Sequence, residues 1–327
     1  RPVPLCGPAR RAYGKGDADP MKKIFFSPDG CLRSGWQMAL YMVVYFAVSQ
    51  AVTMALSMVV NPLLLFLLGG VEGVRAWPGL MALNYILLAV VNLVAAWALA
   101  ALFAALNKKR GVKLCFGVGG KGLRQLGAGL LAGAASMAVV AAMLYGFGDM
   151  RFTGFGFSPM LAVYLVLFIT VGITEETLCR GVLQGALAGR VPAAAVVLVP
   201  SVLFGLLHFA NPGFGLLPCL NIILVGVLFA LVTLRSGSLA AAIGYHITWN
   251  FFQGNVFGIL VSGTDTNAAS LISGELTRAN IWNGGNFGAE GGLYVTLLLV
   301  VSIALAWKFW PKGEASAKAA AQLPNEA

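Results

Sequence analysis

The chain predicts an all-α polytopic membrane protein of about eight transmembrane helices, on three observations. Hydrophobic residues make up 59% of its 327 positions and charged residues only 10%, against about 25% charged in a typical soluble domain. Apolar runs recur along the sequence at lengths that cross a bilayer, roughly 17 to 25 residues each. None of them shows the two-residue alternation of a barrel strand, which leaves the helix as the way to satisfy the backbone in lipid.

The runs lie at 36–68, 79–106, 126–147, 159–180, 193–210, 216–234, 238–260 and 291–310. With the N-terminus placed inside, lysine and arginine fall on the cytoplasmic side of nearly every connection, and only Arg75, Arg151 and Arg278 face outward. That asymmetry predicts both termini cytoplasmic; the expected location is integral to a membrane, with a bacterial cytoplasmic membrane as the expected one. The net charge of +10 is then a topology signal that also suits anionic lipid, and no nucleic-acid partner is expected. Met21-Lys22-Lys23-Ile24 reads as a natural start, so residues 1–20 are set aside within an N-terminal cytoplasmic tail, 1–35. The five cysteines form no C-x-x-C pair and are odd in number, which suggests neither a disulfide framework nor a structural zinc site.

The first three helices, 36–156 with their connections, read as scaffold. Gly129-x-x-x-Gly133 with Ala134, Ala135 and Ser136 suits the third to close helix packing. The glycine-rich stretch around Lys121 lacks the Gly four residues before Gly120-Lys121 that a phosphate loop requires, and Gly122 replaces its Ser/Thr. It is read as a flexible basic loop. Intramembrane ionisable residues concentrate in 157–260, the expected functional core. A polar stretch, 261–290, follows on the non-cytoplasmic side with no chemical role assigned to it. The last helix, 291–312, and a tail, 313–327, close the chain.

Both histidines of the chain lie in apolar segments, where an ionisable side chain is costly and by default marks function. Glu175 and Glu176 point about 100° apart on a helix, so they do not share a face. Glu176 and Arg180 form an i,i+4 pair able to neutralise one another, which leaves Glu175 without a sequence partner and available as a general base. Phe204 and His208 share a face of the fifth helix, and His246 and Asn250 share one of the seventh. Water held by Glu175 could attack a carbonyl while His and Asn donors stabilise the oxyanion. Alternatively, Glu175, His208 and His246 could supply three ligands of a catalytic zinc with one open position. Structural readings stand beside these: an interhelical hydrogen bond for a histidine, a structural ion pair for Glu176 and Arg180, packing or lipid contact for Trp249 and Phe251. A proton-coupled transporter is a further alternative, though it predicts symmetry between the two halves that the sequence lacks.

The order Glu175-Glu176-x-x-x-Arg180, Phe204-x-x-x-His208 and His246-x-x-x-Asn250 resembles the CPBP family of intramembrane proteases, which includes the CAAX prenyl endopeptidases and bacteriocin-processing or self-immunity proteins. Arg180-Gly181 and Ser238-Leu239 are similar too, while Cys179 stands where the family usually carries an aromatic residue. The resemblance implies a peptide or membrane-protein substrate cut at or within the bilayer. It assigns Glu175 to water activation, His208, His246 and Asn250 to holding water or oxyanion, and Glu176, Arg180 and Phe204 to support. A metal-free site is the favoured form, zinc the other, and a non-catalytic binding or immunity protein of the same fold is the alternative function. Span counting sets Glu175 and His208 at different depths. They meet only if the fourth helix runs on to about 190 and the fifth starts outside the bilayer, helped by broken backbone at Asn211-Pro212-Gly213.

Overall fold

Long apolar helices dominate the computed structural model, which describes residues 20–27, 32–72, 78–107, 120–265 and 269–310. The expectations for residues 1–19, for most of the basic loop (108–119) and for the tail beyond 310 fall outside these residues. The principal helices are α1 (Ser34–Leu67), α2 (Pro78–Leu106), α3 (Gly120–Gly146), α4 (Met160–Leu187), α5 (Ala193–Leu207), α6 (Leu216–Ser236), α7 (Ala240–Phe251) and α8 (Leu293–Phe309). Among the described residues, five helices are long and apolar enough to span a membrane: α1, α3, α4, α6 and the stretch Ile86–Leu106 of α2. Helices α5 and α8 are apolar but shorter.

Three boundaries differ from those expected. The third helix begins at Gly120, so Lys121 and Arg124 are helical and not part of a loop. The fourth does not stop at Arg180: it passes through a π turn, Thr177–Leu183, and ends at Leu187. The seventh is α-helical only to Phe251, then continues as a second π turn, Phe252–Val256. The polar stretch after it is also structured. Its strand β2 (Ile272–Leu276) pairs antiparallel with β1 (Met150–Phe155), with a bulge between Phe152 and Gly154. This ribbon ties the connection after α3 to the connection before α8.

The small-residue face of α3 meets α7 as its composition predicts. A Cβ added at Gly129 would overlap the carbonyl of Ala241, and one at Gly133 would overlap Tyr245 and the Thr248 hydroxyl. Gly244 answers from the other side, against Leu126 and Leu130. The close approach lets Thr248 Oγ1 donate to the Leu130 carbonyl at 2.8 Å, an interhelical bond of the kind that holds helices together where water cannot. Helix α3 thereby fixes the helix that carries His246. On the other face of α7, Gly172 of α4 packs against Ile243 and Ile247.

Candidate active site

Glu175 and Glu176 enter from α4, His208 from the residue that ends α5, and His246 and Asn250 from α7. The depth condition is met because α4 is longer than its apolar run. From Glu175 to Leu187 and from Ala193 to His208 the helices rise about 18 and 22 Å at 1.5 Å per residue, so residues on either side of a short turn reach a common level. Arg180 and Gln184 do not end the helix because each finds an acceptor on α6. Arg180 Nη2 donates to the Gly226 carbonyl at 3.1 Å and Gln184 Nε2 to the Ala230 carbonyl at 3.1 Å. π turns recur at functional sites, and here one, Thr177–Leu183, begins just after Glu176 and another, Phe252–Val256, begins two residues after Asn250.

Glu176 is fully buried and holds two partners on one oxygen. Its Oε1 accepts from Arg180 Nη1 at 2.9 Å and from His246 Nδ1 at 3.1 Å. The guanidinium is sandwiched by aromatic rings, 4.5 Å from the Phe204 centroid and 5.3 Å from that of Phe229, positions where a cation is attracted to the ring face. The expected Glu176–Arg180 pair is therefore present, but Glu176 also reaches His246. That second contact, through His246 Nδ1, is one the motif spacing did not indicate.

The consequence for His246 is a fixed ring. Glu176, paired with Arg180, is an acceptor, so Nδ1 carries the proton and Nε2 is turned toward Glu175, whose Oε2 lies 3.8 Å away. A hydrogen-bonded partner on one imidazole nitrogen sets the state of the other. His246 is only 8% exposed at its side chain and Glu175 33%, so the glutamate is the member of this pair that a substrate or water reaches. His208 is oriented the same way: its Nδ1 lies 2.9 Å from the Phe204 carbonyl, which can only accept. Phe204 stands between the imidazoles, edge-on to both, with centroids 5.1 and 6.2 Å away.

Glu175, His208, His246 and Asn250 line one cavity of about 230 Å³. Its lining also includes the apolar Leu167, Phe168, Val171 and Phe229, together with Val261, Ser262 and Thr264 of a turn and Glu290. Residues from the two ends of the polar stretch, to which the sequence assigns no chemical role, thus line the site. Trp249 takes the packing alternative expected of it. It is buried, and its indole N–H donates to Glu290 Oε1 at 3.1 Å. Nothing in the sequence near Glu290 marked it, because a carboxylate in a Gly- and Asn-rich connection reads as a solvated loop residue. Among the described residues, no three His, Cys, Asp or Glu side chains stand together so as to share a metal ion. The zinc set Glu175, His208 and His246 is not gathered into a ligand cluster.

Residues 157–252, just under a third of the chain, match the family model of type II CAAX prenyl endopeptidase Rce1-like proteins. The matched segment contains Glu175, His208, His246 and Asn250, whereas Val261, Ser262, Thr264 and Glu290 of the same cavity lie beyond it. No curated protein and no solved structure matches the chain.

Proposed function

We propose that this chain, whose residues 157–252 match the type II CAAX prenyl endopeptidase Rce1-like family model, is an intramembrane endopeptidase in which Glu175 activates water to hydrolyse a peptide bond. The observation that carries the reading is the juxtaposition of the reachable Glu175 carboxylate with a buried His246 whose Nε2 faces it at 3.8 Å. That spacing is too long for a direct hydrogen bond and short enough for one water to sit about 2.8 Å from both atoms.

Hydrolysis then follows from the groups present. Water donates one proton to Glu175 as its oxygen attacks the scissile carbonyl carbon, with His246 Nε2 accepting the other water hydrogen and fixing the attack direction. The carbonyl oxygen becomes an oxyanion, for which the Asn250 amide is the donor, since preorganised donors aimed at developing charge are the largest single contribution in such sites. His208, with Nδ1 given to the Phe204 carbonyl, presents an acceptor at Nε2 to the cavity, open to an N–H of the bound peptide. Glu175 returns its proton to the departing nitrogen as the C–N bond breaks, leaving a carboxylic acid and an amine, and the acid proton then passes to the amine to give carboxylate and ammonium. Every step uses this chain's own side chains, and the metal-free form is the one proposed. Glu176, Arg180, Phe204 and Phe229 act through His246. Both termini are placed on the cytoplasmic side, and the substrate is a peptide or membrane protein reaching the cavity from the bilayer.

The test is cleavage by the purified chain in proteoliposomes, offered a farnesylated CAAX peptide and a panel of single-span membrane proteins, with products read by mass spectrometry. New termini made by the parent and missing with Glu175→Gln are expected. Equal product from both proteins would end the catalytic reading.

A further inference from the structure

Glu290 is the one cavity-lining carboxylate outside the three motifs, and all of its side-chain partners are donors. Oε1 accepts from the Trp249 indole at 3.1 Å, while Oε2 accepts from the Ser262 amide at 2.6 Å and the Ser262 hydroxyl at 2.8 Å. Only a carboxylate offers acceptors at both ends. A glutamine amide would satisfy one end and face the other with an N–H.

The backbone behind Glu290 is set in advance. Asn221 of α6, itself buried, donates to the carbonyls of Glu290 and Gly292 at 2.8 and 2.9 Å. Gly288 lies so close to the Leu260 carbonyl that no Cβ fits there. Glu290 is therefore held in place before its side chain engages anything.

What it engages is strained. Ser262 has φ 47° and is the one non-glycine residue with positive φ among the described residues. Such a conformation persists only where the surroundings over-determine it, and it clusters at ligand clamps. The surroundings here are Glu290 on the Ser262 amide and hydroxyl, Asn211 Nδ2 on the Ser262 carbonyl at 2.9 Å, and the Phe287 carbonyl on the Gly263 amide at 2.8 Å. The tight turn they hold, with Val261 and Thr264 exchanging backbone hydrogen bonds at 3.0 and 2.8 Å, lines the same cavity as Glu175, His208 and His246.

We propose that Glu290 is a positioning residue that fixes the turn Val261–Thr264 as the substrate-binding wall of the cavity. The inference rests on the peptidase reading only in naming the ligand, since the wall shapes binding whether or not cleavage follows. Because Glu290 holds the wall and donates no proton to the reaction, its loss weakens substrate binding and leaves the chemical step of bound substrate intact.

The experiment compares the parent, Glu290→Gln and Glu290→Gln/Ser262→Gly in proteoliposomes. It measures binding of a fluorescent farnesylated CAAX peptide in a Glu175→Gln background, KM and kcat with Glu175 present, and hydrogen exchange across 261–265. Glu290→Gln is expected to weaken binding and raise KM about tenfold, a loss the size of one hydrogen bond to a charged group, with kcat within about twofold. Exchange should quicken at 261–265. Ser262→Gly, which makes the positive φ unstrained, should recover much of the binding. Unchanged exchange, or faster exchange with unchanged binding and KM, would overturn the inference. A parent that binds peptide without cleaving it would remove the peptidase reading alone, while a parent that binds no peptide would remove both.

Discussion

Glu175→Gln and Glu176→Gln are the same chemical change at adjacent positions, and the structure assigns them opposite consequences. Glu176 is completely buried, with Arg180 at 2.9 Å and His246 at 3.1 Å on one oxygen. Removing its charge leaves the buried guanidinium with two ring faces and the Gly226 carbonyl but no counter-charge. Breaking such a pair from one side costs about 3–5 kcal/mol. Glu175 is a third exposed and its nearest ionisable partner is an imidazole at 3.8 Å, so its replacement is expected to change stability by less than about 1 kcal/mol. Activity runs the other way, because loss of a general base lowers kcat by about 10² to 10⁴-fold. Thermal unfolding in detergent, followed by tryptophan fluorescence, and peptide cleavage well below the melting transition separate the two effects. Glu175→Gln should melt with the parent and be inactive, and Glu176→Gln should melt far below it. Equal melting of the two variants would refute the division of labour between them.

Three further outcomes follow from the same geometry. Asn250→Ala should lower kcat by about 10² to 10³-fold, the usual loss of an oxyanion donor, with a smaller change in KM; a KM effect alone would remove Asn250 from the chemistry. Gly133→Leu should force α3 away from Tyr245 and Thr248 of α7, costing about 1–3 kcal/mol or more by overpacking, and a melting curve that coincides with the parent's would contradict that contact. Incubation with a zinc chelator followed by its removal should leave cleavage at the parent rate, whereas loss of activity restored by added zinc would replace the metal-free step with a metal-dependent one.

The motif spacing made the participants legible and left their partners undecided. Glu176 and Arg180 are neighbours by helical arithmetic, but the bond from Glu176 to His246 spans 70 residues and depends on how α4 and α7 pack. Hydropathy alone ends α4 too early for a specific reason: it falls at Arg180 and Gln184, yet both side chains are buried and donate to carbonyls of α6. A polar residue satisfied by a neighbouring helix looks, in sequence, like the edge of the membrane. The π turns after Glu176 and Phe251 leave no compositional trace at all. Gly129 and Gly133 were legible because small residues at that spacing have one main use in lipid. Glu290 and Ser262 were hidden in a stretch whose Gly, Asn and Ser content reads as solvated loop, and only its hydrogen bonds reveal a wall.

An experimental structure resolving solvent between Glu175 and His246 tests the central claim most directly. One water within hydrogen-bond distance of Glu175 Oε2 and His246 Nε2, with His246 Nδ1 on Glu176, is the predicted result. A metal ion bound by Glu175, His208 and His246, or a Glu175 carboxylate turned out of the cavity, would contradict it.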